Sequence, residues 1–373
     1  MGNCKSQCYQ KSLSQTNNVD CTKLIILIKT WHKDAFSLFD YENAINVQEQ
    51  RFIINNDGYL VGRNQIEWIE NKTTIKDQLC KIKKKNDNYF IVNPNFQKDY
   101  KKQTIQENEE SHNILNKTIS EKIGNKIWKV IHENGILLQE GDVIKLGRVK
   151  FTIRQIGLEI KSQEQRFEYE SSQSIESDQT MCRICCSSQK SSNNPLLNPC
   201  KCSGSIKYIH LECLKTWLRM KLENRQSENC IVYLWKNLEC ELCKYNYPSK
   251  FKSDDSYYDL VELSKPNDYP YLMMEFTNKQ GQQLDYNNNN SGVYILKFQN
   301  VSELKIGRSN DTDIRLNDIS VSRNHAKLLV HDKKVYLFDN HSKFGTLHLI
   351  RTDILQIQRG MEVQMGRSLI SFQ

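Results

Sequence analysis

Eight side chains able to bind a metal stand in four close pairs near the middle of this chain: Cys182-x2-Cys185, Cys200-x-Cys202, His210-x2-Cys213 and Cys240-x2-Cys243. Gaps of 14, 7 and 26 residues separate them. Two donors spaced this way sit on one tight turn and can face one ion. A closed tetrahedral Zn²⁺ site takes four thiolate or imidazole donors, so eight predict two structural zinc ions, each built from non-adjacent pairs. Nine of the 13 cysteines lie between 182 and 243. An odd total, the clustering, and the lack of a secretory signal at Met1 argue for thiolate ligands in a reducing intracellular compartment rather than disulfides.

Another pattern points to lipid. Met1-Gly2-Asn3-Cys4-Lys5-Ser6-Gln7-Cys8 fits N-myristoylation of Gly2. One acyl chain binds a membrane only marginally, and Lys5 and Lys11 are the only basic residues among the first twelve. Cys4 and Cys8 are therefore expected to carry palmitoyl chains as the second signal. The longest apolar run, Leu24 to Ile28, is far short of the ~20 residues a spanning helix needs. The expected location is the cytoplasmic face of a membrane, reached by N-terminal lipidation, with no transmembrane segment.

The cysteine segment, about 181–248, resembles the RING-CH (RINGv) finger of E3 ubiquitin ligases. The resemblance rests on Cys182-Arg183-Ile184-Cys185, Pro199-Cys200-Lys201-Cys202-Ser203-Gly204-Ser205, His210-Leu211-Glu212-Cys213-Leu214, Trp217-Leu218 and Cys240-Glu241-Leu242-Cys243-Lys244-Tyr245. A plant homeodomain finger has the same ligand order. The Cys200-x-Cys202 pair and the position of Trp217 favour RING-CH. The resemblance implies a cross-brace, with one zinc on Cys182, Cys185, His210 and Cys213 and the other on Cys200, Cys202, Cys240 and Cys243. Cys186 and Cys230 are left over. It also implies no catalytic nucleophile: such a module holds a ubiquitin-charged E2 so that a lysine can attack the thioester. Ile184, Trp217 and Leu242 would supply the apolar E2 contact, and Lys244 a basic bridge to E2 and ubiquitin.

The segment 271–373 resembles a forkhead-associated (FHA) domain, a β-sandwich that binds phosphothreonine peptides. It carries Gly307-Arg308, Ser322-Arg323-Asn324-His325-Ala326, Asp339 and Ser342-Lys343-Phe344-Gly345-Thr346. A phosphate wants arginine forks and hydroxyl donors on loops at one end of a rigid scaffold. The resemblance makes Arg308, Ser322 and Arg323 phosphate contacts and His325 a loop brace, with Lys343, Phe344 and Gly345 at the peptide. Phe344 stands where most members have Asn.

These sites need scaffolds, and self-comparison finds one used twice. Gly141-Asp142-Val143-Ile144-Lys145-Leu146-Gly147-Arg148 matches Gly360-Met361-Glu362-Val363-Gln364-Met365-Gly366-Arg367, 219 positions on. Upstream, Tyr59 to Arg63 matches Leu304 to Arg308 in the same order. Short β-branched and aromatic segments broken by Asn, Asp, Gly and Lys predict strands in both copies. In the first copy Arg63 stands for Arg308, but Lys76 replaces Ser322, Leu79 replaces His325, and Asn95-Phe96-Gln97 replaces the last loop. That copy reads as a degenerate FHA-like scaffold. One helix, about Leu211 to Leu222, is expected in the finger.

The fold class that follows is multidomain and mainly β, with two FHA-like β-sandwiches, the first degenerate, flanking a small zinc-stapled α+β RING-CH finger. The expected boundaries are 1–19 lipidated segment, 20–155 first sandwich, 156–180 acidic linker, 181–248 finger, 249–270 linker and 271–373 FHA domain. Net charge is +8 over 373 residues. In 181–250 two Zn²⁺ with seven thiolates lower the formal charge to near +3, which argues against nucleic acid as a partner. The expected activity is RING-type ubiquitin transfer with E2 and ubiquitin as partners, a phosphothreonine protein recruited by the FHA domain, and a membrane surface beneath. The alternative is a non-catalytic phosphopeptide adaptor with a structural zinc finger.

Overall fold

The computed structural model describes residues 23–31, 38–41, 47–63, 65–68, 77–92, 126–158, 180–189, 191, 193–236, 238–247, 250–253, 256–261, 263–266, 268–277, 291–352 and 354–373. Gly2, Cys4, Cys8, Lys76, Asn95 to Gln97 and most of the acidic linker lie outside them.

The first repeat forms β1 (Leu24–Trp31), β2 (Val47–Ile54), β3 (Tyr59–Gly62), β4 (Ile66–Trp68), β5 (Gln78–Lys85), β6 (Asn88–Val92), β7 (Ile127–Ile131), β8 (Ile136–Leu137), β9 (Val143–Leu146) and β10 (Val149–Gly157). The finger region contributes β11 (Leu196–Leu197), β12 (Ile209–His210), α1 (Leu211–Arg219), β13 (Glu223–Gln226), β14 (Cys230–Trp235), β15 (Lys250–Ser253) and β16 (Ser256–Asp259). The second repeat forms β17 (Tyr271–Thr277), β18 (Ser291–Lys297), β19 (Glu303–Gly307), β20 (Ile314–Arg315), β21 (Ala326–His331), β22 (Lys334–Asp339), β23 (Thr346–Leu349), β24 (Ile354–Gln356), β25 (Glu362–Met365) and β26 (Ser368–Phe372).

Alternation decides which face each strand buries. In β1, Leu24, Ile26 and Ile28 point inward while their neighbours are half-exposed. Two sandwiches result, and one long sheet serves both: β13-β14-β18-β17-β10-β9-β23-β7-β25-β26-β1-β2. A five-stranded sheet covers each half, β24-β6-β5-β3-β4 over one and β20-β19-β21-β22-β8 over the other.

The ladders do not respect the boundaries 20–155 and 271–373. β1 pairs antiparallel with β26 from the second repeat, Ile28 opposite Ile370. β17 pairs with β10 from the first repeat, Phe151 opposite Phe276. β8 joins β22, and β24 joins β6. Everything after β7 and after β23 is thus exchanged between the repeats. The exchange runs through the β7–β23 pair itself, Leu347 opposite Val130. The cores follow suit. Ile26, Ile28, Val61, Ile82 and Ile91 pack with Met361, Val363, Ile370 and Phe372. Leu272, Met274, Leu304, Ile306 and Leu328 pack with Ile144, Leu146, Phe151 and Ile153. Each fully buried Leu, Ile or Phe side chain contributes about 1.5–3 kcal/mol.

The finger is spliced into the same sheet. The 26-residue gap before Cys240 holds the β13–β14 hairpin, and β14 lies along β18 from Cys230 opposite Leu296 to Trp235 opposite Ser291. Cys230 is therefore no spare thiol of the finger: it is buried in the second sandwich's core, and burial pushes its pKa up to about 12. The helix is shorter than the periodicity implied, because Leu222 already leads into β13. The expected linker 249–270 holds the β15–β16 hairpin, and Leu260 just beyond it is buried in the finger's core.

Candidate zinc centres and phosphate-binding end

Two turns of one design carry the outer ligand pairs. The Cys186 N–H donates to the Cys182 carbonyl and the Cys182 N–H to Ser187 O, both at 2.9 Å. The Lys244 N–H donates to the Cys240 carbonyl and the Cys240 N–H to Tyr245 O, again at 2.9 Å. Cys186 and Lys244, each just after the second cysteine, adopt φ +57°. That left-handed step closes the knuckle and leaves Cys186 exposed, away from the ligands.

The inner pairs arrive on other elements. β11 pairs with β12, Leu196 opposite His210, which sets His210 at the mouth of α1. Leu211, Leu214 and Leu218 bury the helix's inner face. The donor atoms of Cys182, Cys185, His210 and Cys213 lie within 4.8 Å of one another, as do those of Cys200, Cys202, Cys240 and Cys243. The pairing is the expected cross-brace. His210 Nε2 is 2.6 Å from the Gln189 carbonyl, so it holds the proton and leaves Nδ1, 3.2 Å from Cys185 Sγ, free for a metal.

The electrostatics favour the thiolate at one cysteine of each group, while burial and the neighbouring thiols push Cys200 and Cys213 up to about 12. Burial raises the Cys182 pKa, but backbone N–H groups of Cys185, His210 and Ile184 outweigh it and bring it to about 6. Burial raises Cys240 too, yet Cys243 and Leu242 N–H groups and the Arg183 guanidinium bring it to about 6. Arg183 reaches from the first knuckle across to the second ligand group, 3.5 Å from Cys202 Sγ and 3.4 Å from Cys240 Sγ. Donor sets and spacing fit two tetrahedral Zn²⁺ ions.

Ile184 and Leu242 occupy the same position in the two knuckles and are 44% and 55% exposed. Trp217 lies half-buried on α1, its ring edge-on to Tyr247 at 6.0 Å with the Lys221 ammonium 4.1 Å above it. Lys244 is exposed, its Nζ 3.9 Å from Glu239. Ile206 and Met220 are also exposed; nothing in their spacing marked them.

At the far end of the second sandwich, β19 ends in Gly307-Arg308. The Arg323 carbonyl would stand 2.0 Å from a Cβ at position 307, so only glycine lets the end of β19 approach the loop before β21 this closely. Arg308 N–H donates to Ser322 O at 3.0 Å, and its Nε to Val321 O at 3.4 Å. Ser322 Oγ accepts from the Lys343 N–H at 2.9 Å. His325 is fully buried: Nδ1 accepts the Ser322 N–H at 3.0 Å and Nε2 donates to Gly345 O at 3.3 Å. Burial lowers its pKa and keeps it neutral, as this two-sided brace requires. Asp339 ties the last loop through Ser342 and Thr346. Arg308 and Arg323 are exposed and Phe344 is half-buried under the Lys343 ammonium.

The first repeat reaches this end as well. Asp40 ion-pairs with Lys343 at 3.2 Å and the Tyr41 N–H donates to the Lys343 carbonyl. The Tyr41 ring fills the space over Gly345, whose φ is +69°. In the first sandwich Leu79 is buried at the position of the bracing His325.

The comparisons with known proteins agree with this layout. The family model of the RING-variant domain matches residues 182–243, and that of the FHA domain matches 304–366. E3 ubiquitin-protein ligase MARCHF7 of Pongo abelii is 29% identical over 154 residues, 40% of this chain and 19% of its own. Probable E3 ubiquitin-protein ligase MARCHF10 of Homo sapiens is 32% identical over 149 residues, 40% of this chain and 15% of its own. The ERAD-associated E3 ubiquitin-protein ligase DOA10 of Saccharomyces cerevisiae is 39% identical over 72 residues, 19% of this chain and 5% of its own. The chain thus spans under a fifth of the length of these relatives. A solved structure described as an analysis of phosphothreonine-dependent FHA domain interactions covers 24% of this chain and 91% of its own at 22% identity and a TM-score of 0.13.

Proposed function

We propose that this chain, with its RING-variant and FHA domains, is a RING-CH E3 ubiquitin ligase whose FHA end recruits phosphothreonine proteins. The cross-braced double ligand group with Ile184 and Leu242 exposed on matching knuckles carries the reading. Zinc here has a structural task. The loaded knuckles fix Ile184, Leu242 and α1 as a platform for E2, with Trp217 supplying an aromatic edge and Lys244 a charge beside the last ligand. The platform offers no nucleophile; its contribution is to hold the E2–ubiquitin thioester where a lysine amine can attack it. At the other end Arg308, Ser322 and Arg323 present donors to a phosphate, with Lys343, Phe344 and Gly345 beside the peptide.

N-terminal lipidation at Gly2, Cys4 and Cys8 would hold the ligase at the cytoplasmic face of a membrane. Among the described residues no helix is long and apolar enough to cross one. Mixing full-length protein with ubiquitin-charged E2 tests the central claim. Lysine-dependent discharge that is lost in Ile184→Ala and Trp217→Ala, with zinc content unchanged, supports it. No discharge with any E2 leaves the phosphopeptide adaptor.

A further inference from the structure

The loop that holds Arg308 is itself held from behind by the other repeat. β9 and β10 belong to the first repeat but build the second sandwich, and the turn between them is Gly147-Arg148. This turn lies directly under Asp318 to Ser322. A Cβ at position 147, where φ is +57°, would come within 2.4 Å of the Ser320 carbonyl. The Arg148 N–H donates to Ser320 Oγ at 2.8 Å. Its guanidinium forks onto Asp318, Nη2 lying 3.2 Å from Oδ1 and 3.3 Å from Oδ2.

Asp318 is 2% exposed and also caps the N–H and hydroxyl of Ser320. A carboxylate buried this deeply needs a paired cation, and the ion pair it makes is with Arg148. The same turn of chain continues into Val321 and Ser322, whose carbonyls are the two acceptors that hold Arg308. The connection therefore runs from Arg148 to Asp318, to the Ser320–Ser322 backbone, to Arg308.

We propose that Arg148 is a positioning residue for the phosphate site: the first repeat, without His at Leu79, supplies the second repeat's reading loop with its rear support. The inference rests on the phosphothreonine reading of that loop. It makes the reader a product of both repeats, so that a segment more than 150 positions upstream tunes its affinity. The charge is what matters here. A neutral residue at 148 leaves the Asp318 carboxylate unpaired, and the loop must open to hydrate it, taking the Val321 and Ser322 carbonyls away from Arg308.

The test uses the full chain, loaded with zinc, on an immobilised degenerate phosphothreonine peptide library and on its unphosphorylated counterpart. Arg148→Ala is expected to weaken phosphate-dependent retention about 3- to 30-fold. The double variant Arg148→Ala with Asp318→Asn, which leaves no buried charge unpaired, should regain part of that loss. Amide hydrogen exchange gives a readout that a general loss of stability would not: Arg308, Ser309 and Ser322 should exchange faster in Arg148→Ala while β21 and β22 stay protected. Arg148→Ala with wild-type retention and wild-type exchange, alongside an Arg308→Ala variant that has lost binding, would overturn the proposal and leave the phosphothreonine reading intact. Arg308→Ala with undiminished binding, or no phosphate-dependent retention by the wild type, would remove the reading and this inference with it.

Discussion

The two sandwiches share a strand plan, a repeat and a mutual exchange of strands, yet among the described residues only the second carries a histidine brace between its end loops. Each buries a full set of alternating Leu, Ile and Val, and each ends β3 or β19 in Gly-Arg. They part at the loops. The second places a neutral imidazole at 325 between Ser322 and Gly345, while the first buries Leu79 there. A core tolerates such a change because Leu fills the volume. A three-loop site does not, because one side chain has to satisfy a donor on one loop and an acceptor on another. Fold and loop bracing thus rest on different residues.

The exchange of strands gives the strongest way to break this comparison. Removal of 354–373 should unfold the first sandwich, since Ile26 and Ile28 would lose Ile370 and Phe372. Hydrogen exchange should show protection lost in β1, β3 and β5 before β19 and β21. Loss confined to the second repeat would mean that each repeat closes on itself.

The zinc finger sharpens the contrast from the other side, because metal and not a large core holds it. Cys200→Ser should remove one zinc and melt the finger, as folding of such modules is coupled to metal. Elemental analysis should fall from two zinc ions per chain to one or none. The first sandwich should stay protected, and β14 should loosen along β18.

A smaller effect separates the two Gly-Arg ends. Arg308→Ala should cost on the order of tenfold or more in phosphothreonine peptide affinity, because charge-assisted hydrogen bonds contribute about 1.5–3 kcal/mol each. Arg63→Ala should leave that affinity unchanged.

The smallest expected effect is a pH dependence present in one sandwich only. Burial depresses the His325 pKa below its ordinary 6.5. The unfolded chain therefore takes up a proton more readily than the folded one, and stability present above pH 6.5 declines as pH falls below it. His325→Leu, which copies the first repeat, should flatten this contribution in thermal melts of the second sandwich between pH 7 and 5, as measured against wild type.

Much of this was legible in the residues. The ligand spacing pointed to two zinc sites, because a knuckle's geometry is local and two-residue spacing encodes it; which pairs share an ion came from the RING-CH resemblance. The FHA resemblance carried by Gly307-Arg308 and Ser322-x-x-His325 marked the loops that the structure brings together through the His325 brace. The exchange was not legible. Gly141 to Arg148 and Gly360 to Arg367 carry the same motif, and strand patterning says which face of a strand is buried but not which neighbour it joins. The long gap before Cys240 looked like spacing within a finger. Its apolar run, Ile231-Val232-Tyr233-Leu234-Trp235, was the signal that it belongs to a sheet. The Arg148–Asp318 pair joins residues whose closeness exists only after the exchange, and no local motif reports it.

That β1 lies against β26 also sets a schedule for biosynthesis. About 340 residues separate the two strands, so at 5–20 residues per second the ribosome needs roughly 17–70 s to deliver the partner. Throughout that interval Leu24-Ile25-Ile26-Leu27-Ile28 has β2 on one side and an open edge on the other. An apolar open edge invites pairing with whatever strand arrives first, including the same strand on the next chain of a polysome. The nascent protein therefore depends on chaperone cover, or on slow initiation that keeps neighbours apart, in a way that two self-contained sandwiches would not.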